Sequence, residues 1–145
     1  MMDKKQITRE RMDRTLECAL YYISQGWPVL PLHTIKGGHC TCPRKKPCKP
    51  GKHPYSPLVP NGSKDATTDE ETILKWFGGD YDVNIGILAG KESGLVLLDI
   101  DPEHGGNESL KKYPKLLLTP SVKTGGGGRG AVEKGEIASS LRSSQ

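Results

Sequence analysis

The chain opens with apolar residues at three- and four-residue spacing, which predicts a helix whose apolar face is made by Met12, Leu16, Ala19, Leu20 and Ile23. Gly26 is expected to end this helix. A short apolar run over residues 27–32, with prolines at both ends, predicts a strand. Residues 33–66 carry Gly, Pro, Lys and Cys without a period. A loop of that length inside a compact domain is usually functional or disordered.

A second helix is predicted just after this loop. Residues 68–71 read Thr-Asp-Glu-Glu, a capping box in which Thr68 and Glu71 satisfy each other's backbone N–H groups. Ile73, Leu74 and Phe77 are then expected to face the core.

The second half of the chain predicts further strands and a short tail. Runs rich in Ile, Leu and Val suit central strands at 84–89 and 94–100, and weaker patterns indicate a helix at 105–113 and a strand at 121–124. Residues 130–145 have no aromatic residue and no strand period, so we expect them to be poorly ordered. The predicted organisation is a domain over residues 1–129 and a divergent tail over 130–145.

Composition and charge narrow the class of protein. A chain of 145 residues allows one domain with a modest core, and the net charge of +4 is a weak indication of an anionic partner. The basic residues crowd one loop and are candidates for nucleic-acid contact: Arg44, Lys45, Lys46, Lys49 and Lys52. The alternative is a solvated loop that is charged for solubility. No apolar run approaches the ~20 residues of a membrane span, and the start lacks a signal-peptide pattern, so a reducing, cytoplasmic location is expected.

The basic loop also carries soft metal ligands. Cys40, Cys42, Cys48 and His53 supply three thiols and an imidazole, one of the standard ligand sets of structural zinc. His39 and His33 are rivals for the fourth position. The alternative, incidental cysteines in a flexible loop, fits poorly with the usual burial of free cysteine. Cys18 lies away from this group, and a structural role is expected for it.

A strand that ends in Asp-x-Asp is the second candidate site. Side chains alternate along a strand, so Asp99 and Asp101 are expected on one face, where two carboxylates suit Mg²⁺ or Mn²⁺. Aspartates that only cap a turn are the alternative. An EF-hand is excluded, because His104 and Leu110 stand where glycine and glutamate are needed.

A glycine tract precedes the predicted tail. Gly126, Gly127, Gly128 and Arg129 can bring backbone N–H groups and a guanidinium to a phosphate. No Lys-Ser/Thr follows, so the tract is not a Walker loop. A linker is the alternative.

Taken in order, these motifs resemble the N-terminal domain of bifunctional DNA primase–polymerases. The resemblance rests on six pieces: 26-Gly-Trp-Pro-Val-Leu-Pro, the Cys/His loop, 65-Asp-Ala-Thr-Thr-Asp, 84-Asn-Ile-Gly-Ile, 98-Leu-Asp-Ile-Asp and 119-Thr-Pro followed by the glycine tract. It implies a two-layer α/β (α+β) fold of the archaeo-eukaryotic primase type, with a zinc loop beside the active site. It also implies catalytic Asp99 and Asp101 with Mg²⁺ or Mn²⁺, DNA template and nucleoside triphosphates as partners, and a possible replicative helicase partner.

The chain departs from this family after the glycine tract. The resemblance implies a histidine that contacts phosphate and, later, a third metal-binding aspartate, but the chain reads Arg129-Gly-Ala-Val-Glu. We therefore expect the C-terminal part of the fold to be incomplete, Arg129 to lack a strand that positions it, and catalysis to be absent. Two other hypotheses remain: a non-catalytic, zinc-stabilised nucleic-acid-binding remnant, and an Asp-x-Asp nucleotide-sugar transferase.

Overall fold

A computed structural model describes residues 1–44, 47–118, 121–123 and 129–134, with residue 117 and the last two segments described by their backbone. The chain divides into two compact units, Met1–Leu88 and Ala89–Gln145. Each combines helix with small antiparallel sheet, so the α+β class is observed.

The first unit begins with helix α1, Lys4–Ser24. Asp3 caps it, since its carboxylate accepts a hydrogen bond from the Gln6 N–H at 2.8 Å. Gly26, with φ of 80°, turns the chain after it. Ala19 is the most buried residue of α1, and three other members of the predicted apolar face, Leu16, Leu20 and Ile23, pack against the core.

Strand β1, Val29–Leu32, is hydrogen-bonded along both edges. On one edge it pairs antiparallel with β4, Asn84–Ile87, so that Val29 lies opposite Ile87. Its other edge pairs with segments that have no regular secondary structure. Val29 and Thr67 each donate a backbone hydrogen bond to the other at 3.0 Å, and the Pro31 carbonyl accepts one from the Tyr55 N–H at 2.9 Å. The predicted strand at 27–32 is therefore present, two residues shorter at its start.

Two short strands follow that the sequence analysis did not predict. β2, Ile35–Lys36, and β3, His39–Cys40, form a hairpin whose two turn residues, Gly37 and Gly38, both have positive φ. A two-residue turn of this kind matches the twist of paired strands and favours glycine at both positions. The hairpin fixes the position of Cys40.

Helix α2, Glu70–Phe77, corrects two predictions. Its N-cap is Asp69 rather than Thr68, because the Asp69 carboxylate accepts from both the backbone N–H and the hydroxyl of Thr72, at 2.9 and 2.6 Å. The negative charge of an aspartate at this position also interacts favourably with the positive end of the helix dipole. Leu74 is 45% exposed, whereas the larger Trp76 takes the core position and is 8% exposed.

The core of the first unit lies between these helices and the β1–β4 sheet. Burial of apolar area is the main stabilising contribution to such a unit. Its buried members come from α1, β1, the loop before α2, α2 itself and the chain just before β4: Ala19, Val29, Leu30, Val59, Ile73, Trp76, Phe77 and Val83.

The second unit contains a three-stranded antiparallel sheet in the order β5-β7-β6, formed by Leu95–Ile100, Arg129–Lys134 and Ser121–Lys123. The expectation of no strand from residue 130 onward is therefore wrong over residues 130–134, because β7 pairs along both edges and context outweighs its weak local preference. Within the described residues β5 is an edge strand and β4 pairs only with β1, so the prediction of central strands at 84–89 and 94–100 is also wrong. Residues 135–145 of the predicted tail lie outside the description, and the boundary at 129 stays a prediction.

After β5 the chain makes a 3-10 turn, Pro102–His104, and then helix α3, Gly106–Lys111. A second 3-10 segment, Pro114–Leu118, follows. Among the residues of this unit whose side chains are described, the buried apolar ones are Leu95 and Ile100 of β5 and Leu116. In the described part of the chain, no helix has both the length and the apolar character that a membrane span requires.

The burial difference between Ile73 and Leu74 gives a direct test of the α2 packing. Ile73 is 0% exposed, so Ile73→Ala should lower the free energy of unfolding by about 2–5 kcal/mol, because the cavity it leaves cannot fully collapse. Leu74→Ala removes a similar side chain from the surface and should change it by about 0.5 kcal/mol or less. Urea unfolding measures both. Equal losses in the two variants would show that the helix face is assigned incorrectly.

Candidate functional site

The four soft ligands predicted from the sequence converge in the first unit. One ligand atom from each of Cys40, Cys42, Cys48 and His53 lies within 4.8 Å of all the others. Cys40 Sγ is 3.3 Å from His53 Nε2, and Cys42 Sγ is 3.6 Å from Cys48 Sγ. Ligands around a tetrahedral zinc with Zn–S near 2.3 Å are about 3.7 Å apart, so the cluster has the size and donor set that could bind zinc.

The ionisation of the thiols also favours a bound cation. Burial raises the pKa of the Cys40 thiol, but hydrogen bonds from the Gly51 N–H and from Cys42 outweigh it and lower the pKa to about 6. The pKa of Cys48 is raised to about 11, by burial first and then by its hydrogen bonds to Cys42 and Cys40. One thiol therefore ionises readily, while the cluster as a whole resists carrying three negative charges. A divalent cation would compensate those charges and favour loss of the remaining protons.

The two rival histidines do not join this cluster. His39 is exposed on strand β3. His33 is 4% exposed, and its Nδ1 lies 3.0 Å from the Thr41 hydroxyl, which also accepts a hydrogen bond from the Thr34 N–H. Among the described residues, the fourth member of the cluster is His53, as the sequence analysis preferred.

His33 instead supports the cluster through its contacts with His53. Its backbone N–H donates to the His53 carbonyl at 2.9 Å, and its ring centroid lies 5.5 Å from that of His53 and 4.9 Å from that of Tyr55. Burial lowers the pKa of His33, and the nearby His53 and Arg44 lower it further, so the neutral ring is favoured. This supporting role was missed, because nothing in the local sequence shows that residue 33 pairs with residue 53.

The basic residues of the loop divide into described and undescribed members. Arg44, Lys49 and Lys52 are exposed, and none of them takes part in an ion pair within the described residues. Lys45 and Lys46 lie outside the description. Cys18 is exposed on α1 and is not part of the cluster. Arg44, Lys49 and Lys52 thus lie exposed on the Cys/His loop itself and are available to an anionic partner.

The Asp-x-Asp motif lies in the second unit at the end of β5. Asp99 and Asp101 are both exposed and line one cavity of about 370 Å³, together with His104, Ser109 and Tyr113. Carboxylate oxygens at the mouth of a cavity suit a hard divalent cation. No third His, Cys, Asp or Glu of the described residues completes a metal cluster with them.

Asp101 also has a structural role, the alternative foreseen for this motif. It caps the following turn, since Oδ1 accepts from the Glu103 N–H at 3.0 Å while Oδ2 lies 2.7 Å from His104 Nδ1. The hydrogen bond to His104 is the main cause of a lowered pKa at Asp101, followed by the one from Glu103. The carboxylate is therefore held in its charged form, and each oxygen keeps a further lone pair for another ligand.

Gly106 is a second residue that the sequence analysis missed. A Cβ atom there would lie 2.6 Å from the Asp101 carbonyl oxygen and 2.8 Å from its backbone nitrogen. No side chain fits at that distance, so glycine allows α3 to start directly against Asp101. The Gly-Gly pair after His104 was visible in the sequence, but its partner was not.

The phosphate-binding candidates lie partly outside the described residues, since Gly126, Gly127 and Gly128 are not described. Arg129 is the first residue of β7, and its backbone lies opposite Ile100, the residue between the two aspartates. Gly130 lies opposite Asp99. The expectation that Arg129 lacks a strand to position it is therefore wrong, because β7 pairs with β5 at this point.

The comparison with known families agrees with these motifs. The family model described as "Bifunctional DNA primase/polymerase, N-terminal" matches residues 19–132, well over half of the chain. The chain belongs to this family, which associates it with functions of the DNA primase and polymerase type. The match includes the Cys/His cluster, both aspartates and the first residues of β7. Comparison with curated proteins, and with solved structures, found no match.

Proposed function

We propose that this chain is a primase–polymerase domain that binds template DNA and nucleoside triphosphates but does not synthesise nucleic acid as a chain of this sequence. The observation that carries the proposal is the pair Asp99 and Asp101, which lines one cavity within the span that matches the family. These carboxylates would hold Mg²⁺ or Mn²⁺, which when bound supplies positive charge to a triphosphate.

The residues around this pair support binding more than catalysis. Asp101 is oriented by the Glu103 N–H and by His104, so one carboxylate is fixed before any ligand arrives. Arg129, opposite Ile100 in the register, is suited to grip a phosphate. Nucleotidyl transfer needs more, namely a third carboxylate for the second metal and an imidazole on the triphosphate. The described side chains provide no third metal ligand here, and the positions after the glycine tract hold no histidine.

The Cys/His cluster is proposed to bind structural zinc. Three thiols and an imidazole leave no open position for catalysis, which is typical of structural zinc sites. The ligands come from β3, from the loop after it and from a segment paired with β1, so the ion would join parts of the chain that have little apolar core of their own. Zinc binding and folding of this loop are then one process.

The exposed cations Arg44, Lys49 and Lys52, with Lys45 and Lys46, are proposed to contact the nucleic-acid backbone. Arg44, Lys49 and Lys52 form no ion pair within the described part of the chain, which supports this, because paired cations are already compensated. A replicative helicase as partner and a cytoplasmic location follow from the expected role in replication and remain proposals.

The alternative hypothesis, a non-catalytic nucleic-acid-binding remnant, differs from this proposal in one respect: Asp99 and Asp101 would bind neither nucleotide nor metal. The use of Asp101 as a turn cap favours it. The nucleotide-sugar transferase has no support from the family assignment.

Purified protein should contain about one zinc ion per chain, measured by elemental analysis. Cys42→Ala or Cys48→Ala should lose most of the metal and the thermal stability of the first unit, because each removes one of four ligands. Cys18→Ala is the matched control, since this thiol is exposed and outside the cluster. Full zinc occupancy in both cluster variants would contradict the assignment.

Binding of single-stranded DNA should weaken steeply with salt. Changing Arg44, Lys49 and Lys52 to Gln should lower the salt slope by about 0.7 for each phosphate that the variant no longer neutralises, because fewer counterions are released. A variant with Lys4, Lys5 and Lys64 changed to Gln loses the same charge from exposed positions elsewhere in the unit. If both triple variants bind alike, the loop is not the contact surface.

Synthesis should not exceed background. Labelled nucleotides, primed and unprimed templates and Mn²⁺ should give the same incorporation with this chain as with an Asp99→Ala/Asp101→Ala variant. Weak Mn²⁺ binding, followed by electron paramagnetic resonance, should be present in the parent and absent in that variant. Incorporation clearly above the variant would overturn the claim of inactivity, and equal Mn²⁺ binding would favour the remnant.

A further inference from the structure

A separate cavity in the first unit has no role in the functions proposed so far. It has a volume of about 250 Å³ and lies beside the Cys/His cluster, with Cys42 and His53 among its lining residues. The residues that matter for its chemistry are Pro43, Arg44, Pro54, Ser56 and Pro60, and the buried His33 also lies at its wall. We name it the proline cavity.

The walls of the proline cavity suit a flat, mostly apolar group. Three prolines and the buried Val59 provide apolar surface, while the exposed Arg44 provides a planar guanidinium. A bare phosphate or a hydrated cation would leave the proline walls without a matching partner. Unstacked bases are commonly bound on histidine rings and arginine planes.

Its size limits the ligand. Drug-sized ligands occupy pockets of about 300–1,000 Å³, and this cavity is smaller. It is large enough for one nucleobase, with the rest of the ligand outside. Arg44 is exposed and not paired with an acid in the described part of the chain, so its charge is available to a phosphate at the same place.

We propose that the proline cavity holds one unstacked base of a single-stranded nucleic acid, with Arg44 against that base and its phosphate. Lys49 and Lys52, on the same loop and exposed, would follow the neighbouring phosphates. The inference rests on the proposed nucleic-acid contact and extends it from charge alone to the capture of a base. Removing one such stacking interaction changes affinity by roughly tenfold or more.

The cavity is built before a strand arrives. Cys42 and His53 belong to the cluster, and His33 is held by the Thr41 hydroxyl and by the His53 carbonyl. A ligand base therefore meets positioned walls rather than a loop that must first be ordered, which reduces the entropic cost of binding.

Filling the cavity is the first test, using zinc-loaded full chain and a fluorescently labelled oligothymidine read by anisotropy. Ser56→Trp places a large side chain at an exposed lining position and should weaken binding roughly tenfold. Ser63→Trp is the matched control, the same change at an exposed serine that does not line the cavity, and it should bind within about twofold of the parent. Equal binding by the two variants would overturn the inference.

Two further ligands identify what enters the cavity. An oligomer of abasic sites keeps the phosphates and lacks the bases, so Ser56→Trp and the parent should bind it equally. A free thymidine monophosphate should compete only at much higher concentration than the strand, because it lacks the neighbouring phosphates. A persistent difference on the abasic oligomer, or competition by the mononucleotide at the strand's own concentration, would show that the cavity does not read a strand base.

If Ser56→Trp loses its zinc or its native circular dichroism spectrum, a second pair of variants tests the inference instead. Arg44→Gln and Lys52→Gln each remove one charge from the same loop, but only Arg44 lines the cavity. At a salt concentration that screens phosphate contacts, Arg44→Gln should bind at least fivefold more weakly than Lys52→Gln, and equality would overturn the inference. No binding of DNA by the parent at any salt would refute the proposed nucleic-acid contact itself, whereas binding without these differences refutes only the base site.

Discussion

The backbone pairing of strand β1 on both edges is the constraint on which the first unit depends. Residues 30 and 32 direct their backbone groups to β4, while residues 29, 31 and 33 direct theirs to Thr67, Tyr55 and His53. Proline is tolerated at position 31 because the hydrogen bond on that edge uses its carbonyl, so the N–H that proline lacks is not needed there. The long loop has few apolar residues of its own, so this edge supplies much of the order that it has.

The Cys/His cluster is a consequence of that edge. The backbone hydrogen bond between residues 33 and 53 positions His53. The hairpin that starts at residue 35 positions Cys40. Gly51, with φ of 66°, donates its N–H to Cys40 Sγ at 3.4 Å, a conformation that a residue with a side chain adopts with strain. The same pairing builds one wall of the proline cavity, so the Cys/His cluster and the proposed base site depend on one set of hydrogen bonds.

In the second unit, the end of β5 and the turn after it position the Asp-x-Asp motif. The turn that starts at Asp101 is closed by hydrogen bonds to its own carboxylate and by the contact of Gly106 with its backbone. β7 lies between β5 and β6 and brings Arg129 opposite Ile100. The Asp-x-Asp motif and a basic residue that is distant from it in the chain thus lie at the same end of the sheet through register alone.

The sequence by itself determined the features that depend on neighbouring residues. Helix α1, the strands at 84–87 and 95–100, the ligand set Cys40, Cys42, Cys48 and His53, and the family were all predicted, because helical spacing, strand runs and ligand spacing are local. Only the tertiary structure decided between Leu74 and Trp76 for the core, between His33 as ligand and His33 as support, and whether residues 130–134 form a strand. Each of these choices depends on a partner that is distant in the sequence: the packed surface under α2, the carbonyl of His53 and the open edge of β5. A local pattern permits either outcome, and the energy of burial or pairing with the distant partner selects one.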